Sequence, residues 1–129
     1  MQNTHSTPKW ITVYLWVATT MATVFSALAY LKPEVQFAAW PAYGANGALS
    51  LAGPLGLYIA RNLATVATTV FALLSRSAVA ICAALVLRAV TDGVDCLHNA
   101  LAGNMPGAVF AGVMFALELT ALWHLRNKA

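Results

Sequence analysis

Four long apolar segments, separated by short polar turns, constrain the fold of this chain more than any other feature. They cover about residues 10–31, 54–74, 77–98 and 107–125. Each is close to the roughly 20 residues that an α-helix needs to cross a bilayer. Only 9% of the residues are charged and the mean hydropathy is +0.72, whereas a soluble domain carries about 25% charged residues. The sequence therefore predicts an all-α integral membrane protein with a single transmembrane domain over residues 1–129.

The short connections predict the layout of these helices. Residues 75–77 and 98–106 are polar turns, which make consecutive helices antiparallel neighbours and favour an up-down four-helix bundle. Four basic residues fall at one end of the helices: Lys9, Arg76, Arg126 and Lys128. Lys32, beside Glu34, falls at the other end. The positive-inside rule then places both termini in the cytoplasm, and the first segment is too long for a cleaved signal peptide.

Residues 32–53 form the longest connection, and its composition is unusual for a loop. Prolines and glycines interrupt it repeatedly, yet it contains the aromatic residues Phe37, Trp40 and Tyr43. A segment this apolar is not expected to be freely solvated. We expect an interfacial loop between the first two long helices that lies on the membrane surface, folds over the helix ends and lets Trp40 contact a bound molecule.

The third segment carries charges where a membrane helix is normally apolar. Arg88, Asp92 and Asp95 follow one another at helical spacings of four and three residues, so they share one face of the helix, with His98 one turn further on. Each such group costs about 2.5–3.5 kcal/mol to insert at the centre of a membrane helix. Groups with this cost are usually paired with one another or functional.

Counting residues inward from the end of each helix pairs these charges across the bundle. Arg61 in the second segment and Asp92 lie at similar depth, roughly 10 Å from the outer end. Glu118 in the fourth segment lies near Arg88, roughly 15–18 Å in. The sequence therefore predicts a ladder with Arg61 beside Asp92, Arg88 beside Glu118, and the remaining two groups, Asp95 and His98, near the outer end. We expect Tyr58 and Asn62 to supply further hydrogen bonds.

Two arginines face three carboxyl groups in this cluster, and the imbalance is the strongest functional signal in the sequence. Arginine stays protonated, so one carboxyl group lacks a full partner. We expect that group to hold a proton or to lie beside a cationic His98. A metal site made of Asp92, Asp95 and His98 is conceivable, but the neighbouring arginines oppose a cation. We therefore expect no metal and no cofactor.

The two cysteines and Tyr14 are each explained without a functional role. Cys82 and Cys96 fall in the same helix about 21 Å apart, too far for a disulfide. Tyr14 lies near the start of the first segment, as do many aromatic residues that anchor a helix at the membrane interface.

Two short motifs resemble a known family. They are Tyr58-Ile-Ala-Arg61-Asn62-Leu-Ala and Arg88-Ala-Val-Thr-Asp92-Gly-Val-Asp95, and over about residues 54–125 the chain resembles small four-helix integral membrane proteins of unknown function that are DoxX-like in size and layout. Those proteins pair an Ala-Arg-Asp/Asn-Leu motif in their second helix with an acidic motif late in the third. Asn62 stands where an aspartate is common, which removes one possible acid. The resemblance implies the four-helix layout and no catalytic assignment.

Three classes of function fit these features. The first is an acid/base enzyme that isomerises, cyclises or opens an epoxide in a lipophilic small molecule, with Asp92, Asp95, Glu118, Arg61 and Arg88 as catalytic groups. Tyr58, Asn62, His98 and Trp40 would then bind the substrate. The second is a proton-linked transport component, which needs a homo-oligomer because one bundle is small. The third is a structural or assembly subunit whose ion pairs fix packing. A net charge of +3 and the absence of a basic aromatic patch exclude nucleic acid as a partner, which leaves membrane lipid and the lipophilic molecule.

Overall fold

The computed structural model describes residues 7–36 and 54–127. Within those residues it contains five helices and no strand: α1 (Lys9–Leu31), α2 (Pro33–Gln36), α3 (Pro54–Ser75), α4 (Ala78–Leu101) and α5 (Met105–Arg126). The four long helices match the predicted segments to within three residues at each end. The short helix α2 begins inside the predicted loop, and residues 37–53, including Trp40, lie outside the described residues.

Three of the long helices are long and apolar enough to cross a membrane. They are α1, residues Leu55–Ser75 of α3, and α5. Helix α4 is just as long, but it carries Arg88, Asp92 and Asp95 and is not among these candidates. Many large apolar side chains lie on the outside of the molecule, for example Val13, Leu57, Phe71, Val79 and Val109. An apolar exterior of this extent is expected of a surface that contacts lipid rather than water.

The turns between the long helices are fixed by local polar contacts. Arg76 adopts a positive φ of 53° in the α3–α4 turn, and Ser77 then caps α4 by accepting a hydrogen bond from the backbone N–H of Ala80. Between α4 and α5, Gly103 has a φ of 75°, a conformation that glycine adopts without strain. Asn104 caps α5 by accepting a hydrogen bond from the backbone N–H of Gly107.

Each long helix contacts two others. Helix α4 packs most extensively against α5, and α3 packs against both α1 and α4. Side chains also join α1 to α5: Trp10 meets His124 edge to face with ring centroids 6.0 Å apart, and Phe25 meets Phe110 at 6.2 Å. The up-down four-helix bundle predicted from the turns stays a prediction.

The two ends of the helices are packed differently. We call the end with Lys9, Arg76 and Arg126 the basic end, and the opposite end, with Leu31, Pro54 and Leu101, the cavity end. An apolar cluster fills the molecule towards the basic end, with these buried members: Ile11, Leu15, Ala72, Leu73, Ile81, Ala84, Leu85 and Ala121. Towards the cavity end the buried apolar cluster is small, with Ala29 and Leu55. Among the described residues, the cluster of buried apolar side chains is therefore much smaller towards the cavity end.

Candidate functional site

A buried ion pair between Arg88 and Glu118 lies at the centre of the site and joins α4 to α5. The guanidinium Nε donates to Glu118 Oε1 at 3.0 Å, and the two side chains are 5% and 0% exposed. The hydroxyl of Tyr14 on α1 donates to the same carboxylate oxygen at 2.8 Å. The predicted pairing of Arg88 with Glu118 is confirmed. The interpretation of Tyr14 as an interfacial anchor is wrong, because its hydroxyl hydrogen-bonds this buried carboxylate.

Asp92 is the second carboxyl group beside Arg88. Its Oδ2 lies 3.8 Å from Arg88 Nη2, one helical turn along α4, and its side chain is 20% exposed. Asp92 and Glu118 therefore lie beside the same guanidinium group. Two carboxyl groups that share a single cation resist being ionised together, because their negative charges repel. The arrangement around one guanidinium therefore favours one proton shared by Asp92 and Glu118.

The third carboxyl group, Asp95, has a partner of its own. Arg61 Nη1 and Nη2 donate to Asp95 Oδ1 and Oδ2 at 2.6 and 2.9 Å, the two-pronged geometry in which arginine binds carboxylates most strongly. The predicted pairing of Arg61 with Asp92 is wrong. Helix α4 ends at Leu101, three residues beyond the predicted end at residue 98, so that Asp95 rather than Asp92 reaches the depth of Arg61.

A cavity of about 580 Å³ opens beside these ion pairs towards the cavity end. Its charged lining residues are Arg61, Arg88, Asp92 and Asp95. Its uncharged polar or aromatic lining residues include Tyr58, Asn62, His98, Asn99, Asn104, Phe25 and Phe110. Glu118 is not among the lining residues, so Asp92 is the member of the carboxyl pair that a molecule in the cavity would meet.

The structure brings together most of the residues predicted for substrate binding. Tyr58 lies under Arg61, with the guanidinium carbon 5.4 Å from the ring centroid, in a cation–π contact that helps to orient the arginine. Asn62 and His98 line the same cavity. Trp40, the remaining predicted contact, lies outside the described residues.

Sequence reasoning missed an asparagine network at the mouth of the cavity. Asn104 Nδ2 donates to Asn99 Oδ1 at 2.7 Å, and Asn99 Nδ2 donates to the backbone carbonyl of Asp95 at 2.7 Å. This network fixes the α4–α5 turn to the helical turn that carries Asp95. The signal was present in the sequence as two asparagines five residues apart around Gly103.

Two buried N–H groups of the cavity arginines have no hydrogen-bond partner among the described residues. They are Arg88 Nη1 and Arg61 Nε. Buried polar atoms are nearly always satisfied, so these two donors are polar groups of the site that lack an acceptor. Glu118 Oε2 is likewise without a hydrogen-bond partner among the described residues.

No metal site forms in the part of the chain that the structure describes. It contains no group of three or more His, Cys, Asp or Glu side chains placed to hold a metal ion. The considered set of Asp92, Asp95 and His98 is divided by the arginines, because Asp95 is held by Arg61 and Asp92 lies beside Arg88. Cys82 and Cys96 are both free.

Comparison with protein-family models, with curated proteins and with solved structures finds no match to this chain. The DoxX-like resemblance therefore stays a prediction from two short motifs. What the chain does must be argued from the cavity and its charges.

Proposed function

We propose that this protein is a small multi-pass membrane enzyme that carries out acid/base chemistry on a lipophilic small molecule. Isomerisation, cyclisation and epoxide opening are the reactions that a carboxyl group and positioned arginines can promote without a cofactor. The observation that carries the proposal is the position of Asp92. It lies on the wall of a cavity and shares one arginine with a second carboxyl group.

Each charged residue has a distinct role in this proposal. Asp92 gives a proton to the bound molecule or takes one from it, and Glu118 behind it shares that proton. Arg88 and Tyr14 keep Glu118 in place. The pair of Arg61 and Asp95 contributes a fixed dipole at the cavity wall, because both charges are already matched.

The remaining cavity walls suit a lipophilic substrate. Helices α1 and α5 supply apolar lining residues, including Met21, Phe25, Phe110 and Met114. Binding pockets for small molecules have volumes of about 300–1,000 Å³ and mostly apolar walls with a few polar groups. The observed cavity of about 580 Å³ has this size and composition. Tyr58, Asn62 and His98 would orient the polar end of the substrate.

The packing towards the basic end favours an enzyme over a transport component. A transport path requires polar groups towards both ends of the helices. Here the space between the Arg88–Glu118 pair and the basic end is filled by buried apolar side chains such as Leu15, Ile81 and Leu85. A purely structural subunit would have no need for a cavity beside its ion pairs. Both alternatives, including the homo-oligomer that transport requires, therefore have less support.

We also propose the membrane placement that the chemistry requires. All four long helices cross the bilayer as an up-down bundle, α4 included, because its charges are matched inside the molecule. Both termini then lie in the cytoplasm, and the cavity opens at the outer leaflet, where lipophilic molecules enter from the membrane.

The test combines stability with proton exchange. The purified protein in lipid nanodiscs would be incubated in D2O with three probes, a long-chain unsaturated ketone, 1,2-epoxydodecane and squalene, and the products analysed by mass spectrometry. We expect deuterium uptake, isomerisation or ring opening of at least one probe. Asp92→Asn should abolish it without a large change in melting temperature, because Asp92 is only loosely held by Arg88.

A matched control removes a carboxyl group elsewhere. Glu34 is exposed on α2, so Glu34→Gln should retain full activity. Equal reaction of all three probes with the parent protein and a folded Asp92→Asn variant would rule out the enzyme. Collapse of Asp92→Asn during purification would instead show that the cluster is structural.

A further inference from the structure

We infer that the lipophilic molecule carries a neutral carbonyl group, which accepts a hydrogen bond from Arg88 Nη1 while Asp92 removes a proton from the adjacent carbon. The inference rests on the proposed function and names the substrate class of the same site. Its starting point is the Arg88 side chain, which lines the cavity, is 5% exposed and leaves Nη1 without a partner.

The three nitrogens of Arg88 are used unequally. Nε is bonded to Glu118 and Nη2 lies beside Asp92, while Nη1 has no acceptor. Because the guanidinium is planar and rigid, Nη1 is held next to Nη2, which lies 3.8 Å from Asp92 Oδ2. That spacing places a hydrogen-bond donor and a base on adjacent atoms of one ligand. A carbonyl oxygen and the C–H of the neighbouring carbon have this arrangement.

The charges of the site select a neutral acceptor over an anionic one. Arg61 is matched by Asp95, and Arg88 faces Glu118 and Asp92 together. No net positive charge remains to compensate a fatty-acid carboxylate or a phosphate, whose burial without compensation is costly. A ketone, ester or aldehyde needs only the unpartnered N–H. Its alkyl body would lie against the apolar walls of α1 and α5.

The chemical step balances without another reactant. The Asp92 carboxylate takes a proton from the carbon next to the carbonyl, the C–H electron pair becomes the carbon–carbon double bond of an enolate, and the carbonyl π pair moves to oxygen. Before the step the shared proton lies on Glu118 and Asp92 is ionised. Protonation of Asp92 then leaves no negative carboxylate beside Arg88, so the guanidinium becomes better able to stabilise the enolate oxygen. Return of the same proton to a different carbon shifts a double bond, and return to the original carbon leaves only isotope exchange.

The first test measures the hydrogen bond to the carbonyl and needs no turnover. The probe is 2-undecanone labelled with 13C at the carbonyl carbon, bound to the protein in nanodiscs and observed by infrared difference spectroscopy. We expect the carbonyl band to move to lower frequency than in empty nanodiscs. We also expect 2-undecanone to bind roughly tenfold more tightly than undecane, since a hydrogen bond from a charged donor is worth about that factor or more.

Two lysine variants assign the donor. Arg88→Lys keeps the positive charge beside Glu118 but loses the planar set of N–H groups, so the shift of the carbonyl band should disappear. Arg61→Lys tests the other unpartnered N–H beside the cavity, Arg61 Nε. The matched control is Arg76→Lys, because Arg76 is exposed at the basic end, away from the cavity, and this variant should leave the shift unchanged. Loss of the shift in Arg61→Lys alone would overturn the assignment to Arg88.

The outcomes separate this inference from the proposed function. An unshifted carbonyl band, or displacement of 2-undecanone by undecane and laurate at equal concentration, overturns the carbonyl class, even if Asp92 still opens the epoxide probe. A shifted band that depends on Arg88 supports the carbonyl class, even where the ketone probe takes up no deuterium in D2O and the acid/base function fails.

Discussion

At the scale of single residues, Arg88 is the group whose environment explains the site. Its guanidinium is almost fully buried and contacts carboxyl groups on two helices, Glu118 on α5 and Asp92 on α4. Removal of one partner of a buried ion pair leaves an uncompensated charge, whereas replacement of both partners by apolar side chains is often neutral. Breaking the buried Arg88–Glu118 pair should therefore cost more stability than breaking the Arg61–Asp95 pair, whose side chains are 37% and 28% exposed.

This difference gives a prediction for stability. Glu118→Ala should lower the free energy of unfolding by about 3–5 kcal/mol, and Asp95→Ala by only about 1 kcal/mol, because the second pair is partly exposed. The double variant Arg88→Met/Glu118→Leu should recover most of the loss. Unfolding in detergent, followed by circular dichroism, measures all three. A larger loss for Asp95→Ala than for Glu118→Ala would contradict the deeper burial of the Arg88–Glu118 pair.

At the scale of helices, the close approach of α4 and α5 is what holds the polar network in place. A Cβ atom at Gly107 would clash with the side chains of Asn99 and Asn104, whereas a Cβ atom at Gly112 would lie 3.3 Å from Cys96 Sγ, a tight contact with one side chain. The lack of a side chain at Gly107 therefore lets the start of α5 fit against the last turns of α4, beside Asp95.

A pair of alanine variants tests this packing. Gly107→Ala should reduce stability by about 1–3 kcal/mol through overpacking, and Gly112→Ala by clearly less, since a single sulfur atom can move. The melting temperatures of the two purified variants against the parent protein give the comparison. Equal melting of all three would show that the helices can separate without cost.

The sequence was sufficient to predict the long helices. It was not sufficient where the result depends on the rotation of a helix about its axis or on one additional helical turn. The long segments were predicted because apolar runs are interrupted at residues 75–77 and 98–106, and Arg88 was matched with Glu118 by depth alone. The partner of Arg61 was wrong because three further residues at the end of α4 shift the matching position from Asp92 to Asp95. The role of Tyr14 depends on the rotation of α1, and the cavity depends on side-chain packing, neither of which sequence patterns contain.

At the scale of the whole molecule, the apolar exterior and the buried charges suit a protein surrounded by lipid. Helix α4 is the least apolar of the long helices, so the proposed membrane layout depends on whether α4 crosses the membrane. In the proposed layout its charges are tolerated inside the membrane because Arg61 on α3 and Glu118 on α5 match them internally.

Cysteine labelling tests whether α4 crosses the membrane. In a background with Cys82→Ala and Cys96→Ala, single cysteines replacing Arg76, Gly103 or Asn127 would be exposed to a membrane-impermeant maleimide in sealed cells. We expect Gly103→Cys to be labelled from outside and the other two only after the membrane is opened. Labelling of all three from the same side would show that α4 does not cross.

The central claim is that Asp92 and Glu118 hold one proton between them beside Arg88, and infrared spectroscopy of the protein at neutral pH tests it most directly. The account predicts a band from a protonated carboxyl group that is lost in Asp92→Asn and in Glu118→Gln, because the remaining carboxylate then pairs fully with Arg88. The band should persist in Asp95→Asn, because Asp95 is bonded to Arg61 instead. Absence of the band in the parent protein, or its loss in Asp95→Asn alone, would contradict the account.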